Sequence, residues 1–396
     1  MIDVASIQAA IREFGFDGWL LCDFRGSNVL AQRVLGLAPG DVGTRRYFCS
    51  IPARGEPRKL VHRIESGALE HVPGSKTVYL RWQELEAGLR QLVGGMKTVA
   101  MEYSPRNAIP YVSRVDAGMV ELVRSFGVDV VSSGDLIQLF EAAWDEAQER
   151  SHFDAAVHTD AAYARAWRLI AQRVRQTGSV EEIEVQAEIL KHFDEHGMET
   201  YSPPIVAVGP HSGDPHYETG TGSGTLIHEG DFVLVDLWAK LKRPRAVYSD
   251  LTRVGFVGKT VPRQYMEILQ IVAQARDAAV ETVRSAFAAG RPIQGWEVDR
   301  AARDVISSAG YADQFVHRTG HSIGQEVHGN GANIDDLETH ETRRLLLRTC
   351  FSIEPGIYLP EFGVRSEVDV YIDGAGKVHV TGGAPQMAVV PILADF

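Results

Sequence analysis

The chain of 396 residues is 44% hydrophobic and 23% charged, an ordinary globular composition with room for two domains and a core in each. Its 52 acidic residues outnumber 40 basic ones, and the formal charge of −12 speaks against nucleic acid or an anionic membrane as a partner. Three widely spaced cysteines, Cys22, Cys49 and Cys350, offer neither a disulfide framework nor a thiolate metal site. The opening MIDVASIQAAIREFGFDGW has acids where a signal peptide needs a basic start, and no run of about 18 apolar residues occurs. A cytoplasmic protein with no membrane span is expected.

The first 140 or so residues read as alternating helix and strand. IQAAIREFG is apolar at helical spacing and stops at a glycine, and DGWLLCDF follows as a buried strand. RRYFCSIP, KLVHRI, KTVYL, KTVAMEY and VDVVSS are further strands, while WQELEAGLRQLVGG and AGMVELVRSFG are helices closed by glycine. No glycine-rich phosphate loop stands at a strand-to-helix junction, so a nucleotide site has no support. From about Ala143 to Gln176 the chain is strongly helical and forms the expected connector into a second domain. VEEIEVQAEILKHFDEHG, VPRQYMEILQIVAQARDAAVETVRSAFAAG and WEVDRAARDVISSAG are three more helices. Strand-like runs lie among them: PPIVAVG, GDFVLVDLWA, AVYSDLTRVGFV, TCFSIEPGIYL and VRSEVDVYI. The predicted class is α+β. A smaller α/β domain over 1–145 precedes a domain over 146–396 built on an antiparallel sheet with helices on one face.

Five residues in the second domain carry the chemistry: Asp236, Asp250, His321, Glu354 and Glu367. Four carboxylates and one imidazole suit a pair of divalent cations of the Mn or Mg type better than a closed zinc site. KLKRPR reads as the loop of a hairpin that puts Asp236 and Asp250 on facing strands with side chains on one face. Two such acids repel unless a cation lies between them, and Thr252, two positions after Asp250, can orient a ligand oxygen. Taken singly, either aspartate is more often a solvated edge residue. The apolar run FVLV before Asp236 makes that an expensive place for an unpaired charge. HRTGHSIGQEVHG holds His317, His321 and His328 among glycines, which suggests a tight backbone path that lets substrate or metal approach. Glu354 stands at a strand end before Pro355-Gly356. Glu367 follows Arg365 at i+2 on a strand face, where a surface Arg–Glu pair is the bland alternative.

At these residues the chain resembles the pita-bread-fold metallopeptidases: prolidase, Xaa-Pro aminopeptidase and, more distantly, methionine aminopeptidase. PPIVAVGPHSGDPHY, VLVDLWAK with YSDLTRV, RTGHSIGQEVHG, SIEPGIYLP and GVRSEVDV carry the resemblance over about 150–396. The region before them is similar to the amino-terminal domain of the creatinase and prolidase branch. The resemblance implies that Asp236 chelates one metal, that His321 and Glu354 bind the other, and that Asp250 and Glu367 bridge both. It implies substrate-facing roles for His216 and His328, and a place for Arg365 beside the last glutamate. The 14 positions from Asp236 to Asp250 exceed the family's usual spacing, Trp238 stands where small residues are usual, and His211 replaces a common asparagine.

The resemblance also implies the activity: hydrolysis of the bond before proline, in Xaa-Pro dipeptides or at the amino terminus of short peptides. The nucleophile is a hydroxide held between two metals, with Mn first and Co, Zn or Fe as alternatives. A prolyl nitrogen carries no N–H, so a site that does not ask for one accepts the bond. A small peptide is the expected substrate and a homodimer the expected assembly. Two other readings compete. One is a metal-dependent amide or C–N hydrolase of a non-peptide small molecule. The other is a pita-bread binding protein without catalysis, against which the intact ligand set argues.

Overall fold

The core strand Gly18–Asp23 is buried along its whole length, and its alternate side chains serve two different cores. Trp19 and Leu21 pack with Ile7, Ile11 and Leu30 on one face, while Leu20 and Cys22 pack with Leu85, Leu89 and Val123 on the other. A strand apolar at every position therefore lies inside a sheet covered on both sides. In this computed structural model, which describes residues 2–38 and 43–394, the chain divides into two compact units, Met1–Glu141 and Ala142–Phe396. The first holds a six-stranded mixed sheet in the order Ser75–Tyr79, Arg58–His62, Tyr47–Pro52, Gly18–Asp23, Thr98–Met101, Asp129–Ser132. Helices Val29–Val34 and Gly134–Glu141 join those read from the sequence; both are short, and neither carries enough periodic apolar residues to stand out. The thiols of Cys22, Cys49 and Cys350 are free and buried, and burial pushes Cys49 up to about 12, so it stays an unreactive thiol.

The second unit opens with a long helix, Glu146–Thr177. Asp145 caps it, accepting from the backbone N–H groups of Ala147 and Gln148, and Gly178 ends it at φ +87°, a conformation that favours glycine. This helix and Glu182–Glu195 cover one core, with Val233, Val235, Leu237 and Leu251 from two paired strands. A second helix pair, Arg263–Ala288 and Gly295–Ser308, covers the other core with Leu234, Val254, Phe351 and Ile353. Strands Phe232–Leu241 and Ser249–Phe256 form the antiparallel hairpin, joined by Ile205–Val208 and Met198–Glu199. Val390–Pro391 adds a parallel edge, a departure from a purely antiparallel sheet. A four-stranded sheet runs Ser322–Ile323, Cys350–Ile353, Val368–Ile372, Val378–Thr381.

Two runs expected as single strands are broken. TCFSIEPGIYL divides into Cys350–Ile353 and Gly356–Tyr358 around Glu354-Pro355, and VRSEVDVYI into Gly363–Arg365 and Val368–Ile372 around Ser366-Glu367. The breaks free the backbone at Glu354 and Glu367 from one ladder before the next begins.

His152, on the long helix, is fully buried. Its Nδ1–H donates to the Tyr248 carbonyl at 2.8 Å, and Nε2 accepts from the Thr381 hydroxyl at 2.7 Å, which holds the ring neutral. Burial lowers it from 6.5 to about 4. The unfolded chain takes up the proton first, so stability present above pH 6.5 is lost as the pH falls towards 4, by about 3 kcal/mol. Urea denaturation should show a shallower loss over this window for His152→Gln; an identical loss would exclude His152 as its source.

Candidate metal centre and active-site cavity

In the hairpin, Asp236 pairs with Thr252 and Trp238 with Asp250. Side chains alternate along a strand, so these four share one face while Val235, Leu237 and Leu251 point into the helix-covered core. The apolar run around Asp236 thus serves two cores, with Val233, Val235 and Leu237 on the reverse face and Phe232 and Leu234 farther along the aspartate's own face. The face carrying the aspartates borders a cavity of about 290 Å³. Asp236, Asp250, His321, Glu354, Glu367, His216, His328 and Arg365, the eight residues expected from sequence to bind metal or face substrate, all line it, as do Trp238 and His317.

Donor atoms of Asp250, His321 and Glu367 lie within 4.8 Å of one another. His321 Nε2 stands 3.5 Å from Asp250 Oδ2 and 3.3 Å from Glu354 Oε1. Its Nδ1 faces the Ser322 carbonyl at 3.3 Å, which favours the tautomer that leaves a lone pair on Nε2. Ser352 Oγ accepts from the His321 backbone N–H at 3.0 Å and donates to Glu354 Oε1 at 3.1 Å, so one hydroxyl ties the histidine and the glutamate together. Gly320, just before His321, lies where an added Cβ would sit 1.9 Å from the Ser352 carbonyl oxygen. That glycine serves strand packing rather than ligand approach.

Arg365 is buried and donates to three groups: Asp236 Oδ2, the Thr252 hydroxyl at 3.0 Å and the Tyr358 hydroxyl at 3.1 Å. Thr252 in turn donates to Glu367 Oε2 at 2.7 Å. The surface Arg–Glu pair is excluded, since Arg365 and Glu367 are both buried and the arginine's carboxylate contacts are Asp236 and, at 4.0 Å, Glu354. Tyr358 donates to His317 Nε2 at 2.7 Å, and His317 Nδ1–H donates to the Arg318 carbonyl at 2.7 Å. Burial lowers His317 to about 4 and raises Tyr358 to about 12, so both stay neutral. This relay was missed in the sequence, where GIYLP gives no sign that Tyr358 turns towards His317.

Burial, first, and repulsion among the acids push Asp250 and Glu367 well above the usual carboxylate range. Burial raises Asp236 too, with Arg365 opposing. Burial holds His321 well below the usual imidazole value. Buried acids that resist ionising alone, beside a neutral imidazole with a free nitrogen, form a donor set that divalent cations complete. The residues present fit a metal centre.

The accessory histidines differ. The His328 ring stands edge-on to His321 at 4.4 Å between centroids, and burial lowers it. His216 is exposed at the cavity, its backbone N–H held by Asp214 at 2.9 Å. His211 does not line the cavity. It contacts Glu182 Oε1 at 2.8 Å and stacks on Tyr217 at 4.2 Å. Glu182, fully buried, also accepts from the Val208 N–H at 2.8 Å and the Tyr217 hydroxyl at 2.5 Å. It pins both ends of the segment that carries His216. Glu182→Gln should raise KM and lower kcat/KM about 10-fold with metal content unchanged, as expected for a group that orients others. Unaltered kinetics would remove Glu182 from the site's support.

The description metallopeptidase family M24 matches residues 151–374. A protein of Mycobacterium tuberculosis named "Probable dipeptidase PepE" is 30% identical over 354 residues, covering 86% of this chain and 85% of its own. The crystal structure of dipeptidase PepE from Mycobacterium ulcerans superposes with a TM-score of 0.68 at 25% identity, covering 98% of this chain and 96% of that one. The Xaa-Pro dipeptidase from Bacillus anthracis shares the fold, with a TM-score of 0.60 at 22% identity and 98% of both chains covered.

Proposed function

The chain belongs to metallopeptidase family M24 and has its α+β pita-bread fold, and on that premise we propose a two-metal peptidase that cleaves the bond before proline. Its substrates are Xaa-Pro dipeptides or the amino termini of short peptides. The observation that carries this reading is the single cavity onto which all eight residues converge, with the Asp250, His321 and Glu367 donors within 4.8 Å. Relatives named as dipeptidases support the preference for small peptides. The first unit is assigned as the creatinase-type domain, and the active form as a homodimer in the cytoplasm.

Asp236, Asp250, His321, Glu354 and Glu367 would hold the cations, Mn first by donor type, with Co, Zn or Fe as alternatives. When bound, the metals lower the pKa of water and polarise the scissile carbonyl. Glu354, whose Oε1 faces both His321 and Ser352, would take up the proton that the attacking water gives up and pass it to the leaving nitrogen. His328, kept neutral by burial, donates an N–H to the developing oxyanion, and His216 approaches from the exposed side. Arg365 fixes Asp236 through one guanidinium nitrogen, anchors its other two on Thr252 and Tyr358, and stays charged. Tyr201, Ile205, Trp238 and Val327 give one wall apolar surface for the prolyl ring.

Chelator-stripped protein with and without Mn should be tested on Ala-Pro, Ala-Pro-Ala, Met-Ala-Ser and Ala-Ala. Metal-restored cleavage of Ala-Pro alone is the prolidase outcome; release of Ala from Ala-Pro-Ala is the aminopeptidase outcome. Cleavage of Ala-Ala in preference to either would overturn proline selectivity. Two bound metals without cleavage of any peptide would move the reading to a non-peptide amide.

A further inference from the structure

Outside the cavity, the described residues bring three histidines together. His158 lies on helix Glu146–Thr177, while His192 and His196, four positions apart, lie in and just beyond helix Glu182–Glu195. One nitrogen from each falls within 4.8 Å of the other two. Residues i and i+4 share a helix face, and the third ring comes from the packed neighbour.

The hydrogen bonds decide which nitrogens are free. His192 Nε2–H donates to the His158 carbonyl at 2.9 Å, which leaves the lone pair on Nδ1. That Nδ1 is buried with no partner among the described residues, in a residue only 4% exposed. His196 Nδ1–H donates to the His192 carbonyl at 2.8 Å, which leaves its lone pair on Nε2. A carbonyl on one ring nitrogen and a vacant lone pair on the other is the support that metal-ligating histidines receive. A buried acceptor without a donor is costly, and a cation is one way to satisfy it. Burial also disfavours protonation of His158 and His192, so these two imidazoles present lone pairs rather than charges.

We propose that His158, His192 and His196 form a second metal site, a three-nitrogen site for an imidazole-seeking divalent cation of the Zn²⁺ class, with water in the fourth position. Zn–N distances of about 2.0–2.1 Å in a tetrahedron put ligand nitrogens about 3.3 Å apart, against the 4.8 Å within which one nitrogen of each ring falls in the metal-free chain. Exposed His196 leaves the fourth position open to solvent. The donor set is all nitrogen, unlike the oxygen-rich cavity, so the two sites sort cations by type: Mn²⁺ binds such a site far more weakly than Zn²⁺. The cation ties the two helices at the point where the chain turns through Gly197 into Met198–Glu199, which pairs with the hairpin strand at Leu241 and Lys240. Tyr201, which lines the cavity, follows three positions after Met198. None of the three histidines lines the cavity, so the site's expected effect is on stability rather than on turnover.

Zinc binding to the full chain, measured by equilibrium dialysis with metal analysis, tests this. His196→Ala should bind one zinc fewer per chain than the unsubstituted protein and lose the rise in Tm that zinc produces, with Mn-supported peptidase activity unchanged. A chain carrying Asp250→Asn and Glu367→Gln should still bind one zinc through the three histidines, and adding His158→Ala should abolish it. Cu²⁺ in the same chain should show coupling to three nitrogens in its electron paramagnetic resonance spectrum. Zinc stoichiometry that His196→Ala leaves unchanged would overturn the proposal, whether or not the doubly substituted chain folds.

Discussion

Asp250→Asn is expected to lower metal-dependent kcat/KM by at least about 10²–10³-fold while leaving the metal-free chain as stable as the unsubstituted protein, or more so. The two halves have one cause. Asp250 is buried next to His321 and shares its surroundings with Asp236, Asp369 and Glu354, so burial and like charge raise its pKa. For an acid raised in the folded state, the stability present at low pH is lost as the pH rises through the folded value. At neutral pH without metal, the carboxylate is therefore a liability that asparagine removes, because an ionised group buried without a cation costs desolvation that a neutral amide of the same shape avoids. With metal the balance reverses, since the same charge is then a ligand. Activity assays and urea denaturation in chelator read the two halves separately. A variant that retained activity would displace Asp250 from the centre, and one much less stable without metal would contradict the electrostatic account.

Arg365→Met should destabilise the metal-free protein by about 3–5 kcal/mol. The guanidinium is the buried cation facing Asp236, and its removal strands that carboxylate. The Thr252 and Tyr358 hydroxyls lose a donor as well. Arg365→Lys keeps the charge without the planar fork and cannot serve all three acceptors, so it should fall between the two. Denaturation in chelator gives the measurement, and a loss below about 1 kcal/mol for the methionine variant would mean that Asp236 is already protonated and needs no partner.

The legible part of the site follows from short-range rules. Period-two alternation places Asp236 and Asp250 on one face once the hairpin is recognised, and Pro355-Gly356 marks the strand end at Glu354. Long-range pairing was not legible. Arg365 sits two residues from Glu367 in sequence, yet its direct carboxylate contact is Asp236 across the sheet, and it meets Glu367 only through the Thr252 hydroxyl that both share. His211 stood among the motif residues but serves the buried Glu182, a helix residue with nothing in its sequence surroundings to mark it. His192 and His196 show helical spacing in HFDEH, but His158 reaches them only through helix packing. The second domain's helices were readable from periodicity, whereas its division into several small sheets depended on breaks at single residues.

The most direct test of the central claim is titration of the metal-stripped chain with Mn²⁺ while following cleavage of Ala-Pro. No turnover is expected without metal, then a rise to a plateau at two equivalents per chain, with the response of the Asp250→Asn variant weaker by at least about 10²-fold. Full turnover in the presence of excess chelator, or an unaltered Mn²⁺ response in that variant, would contradict a peptidase centre built on these carboxylates.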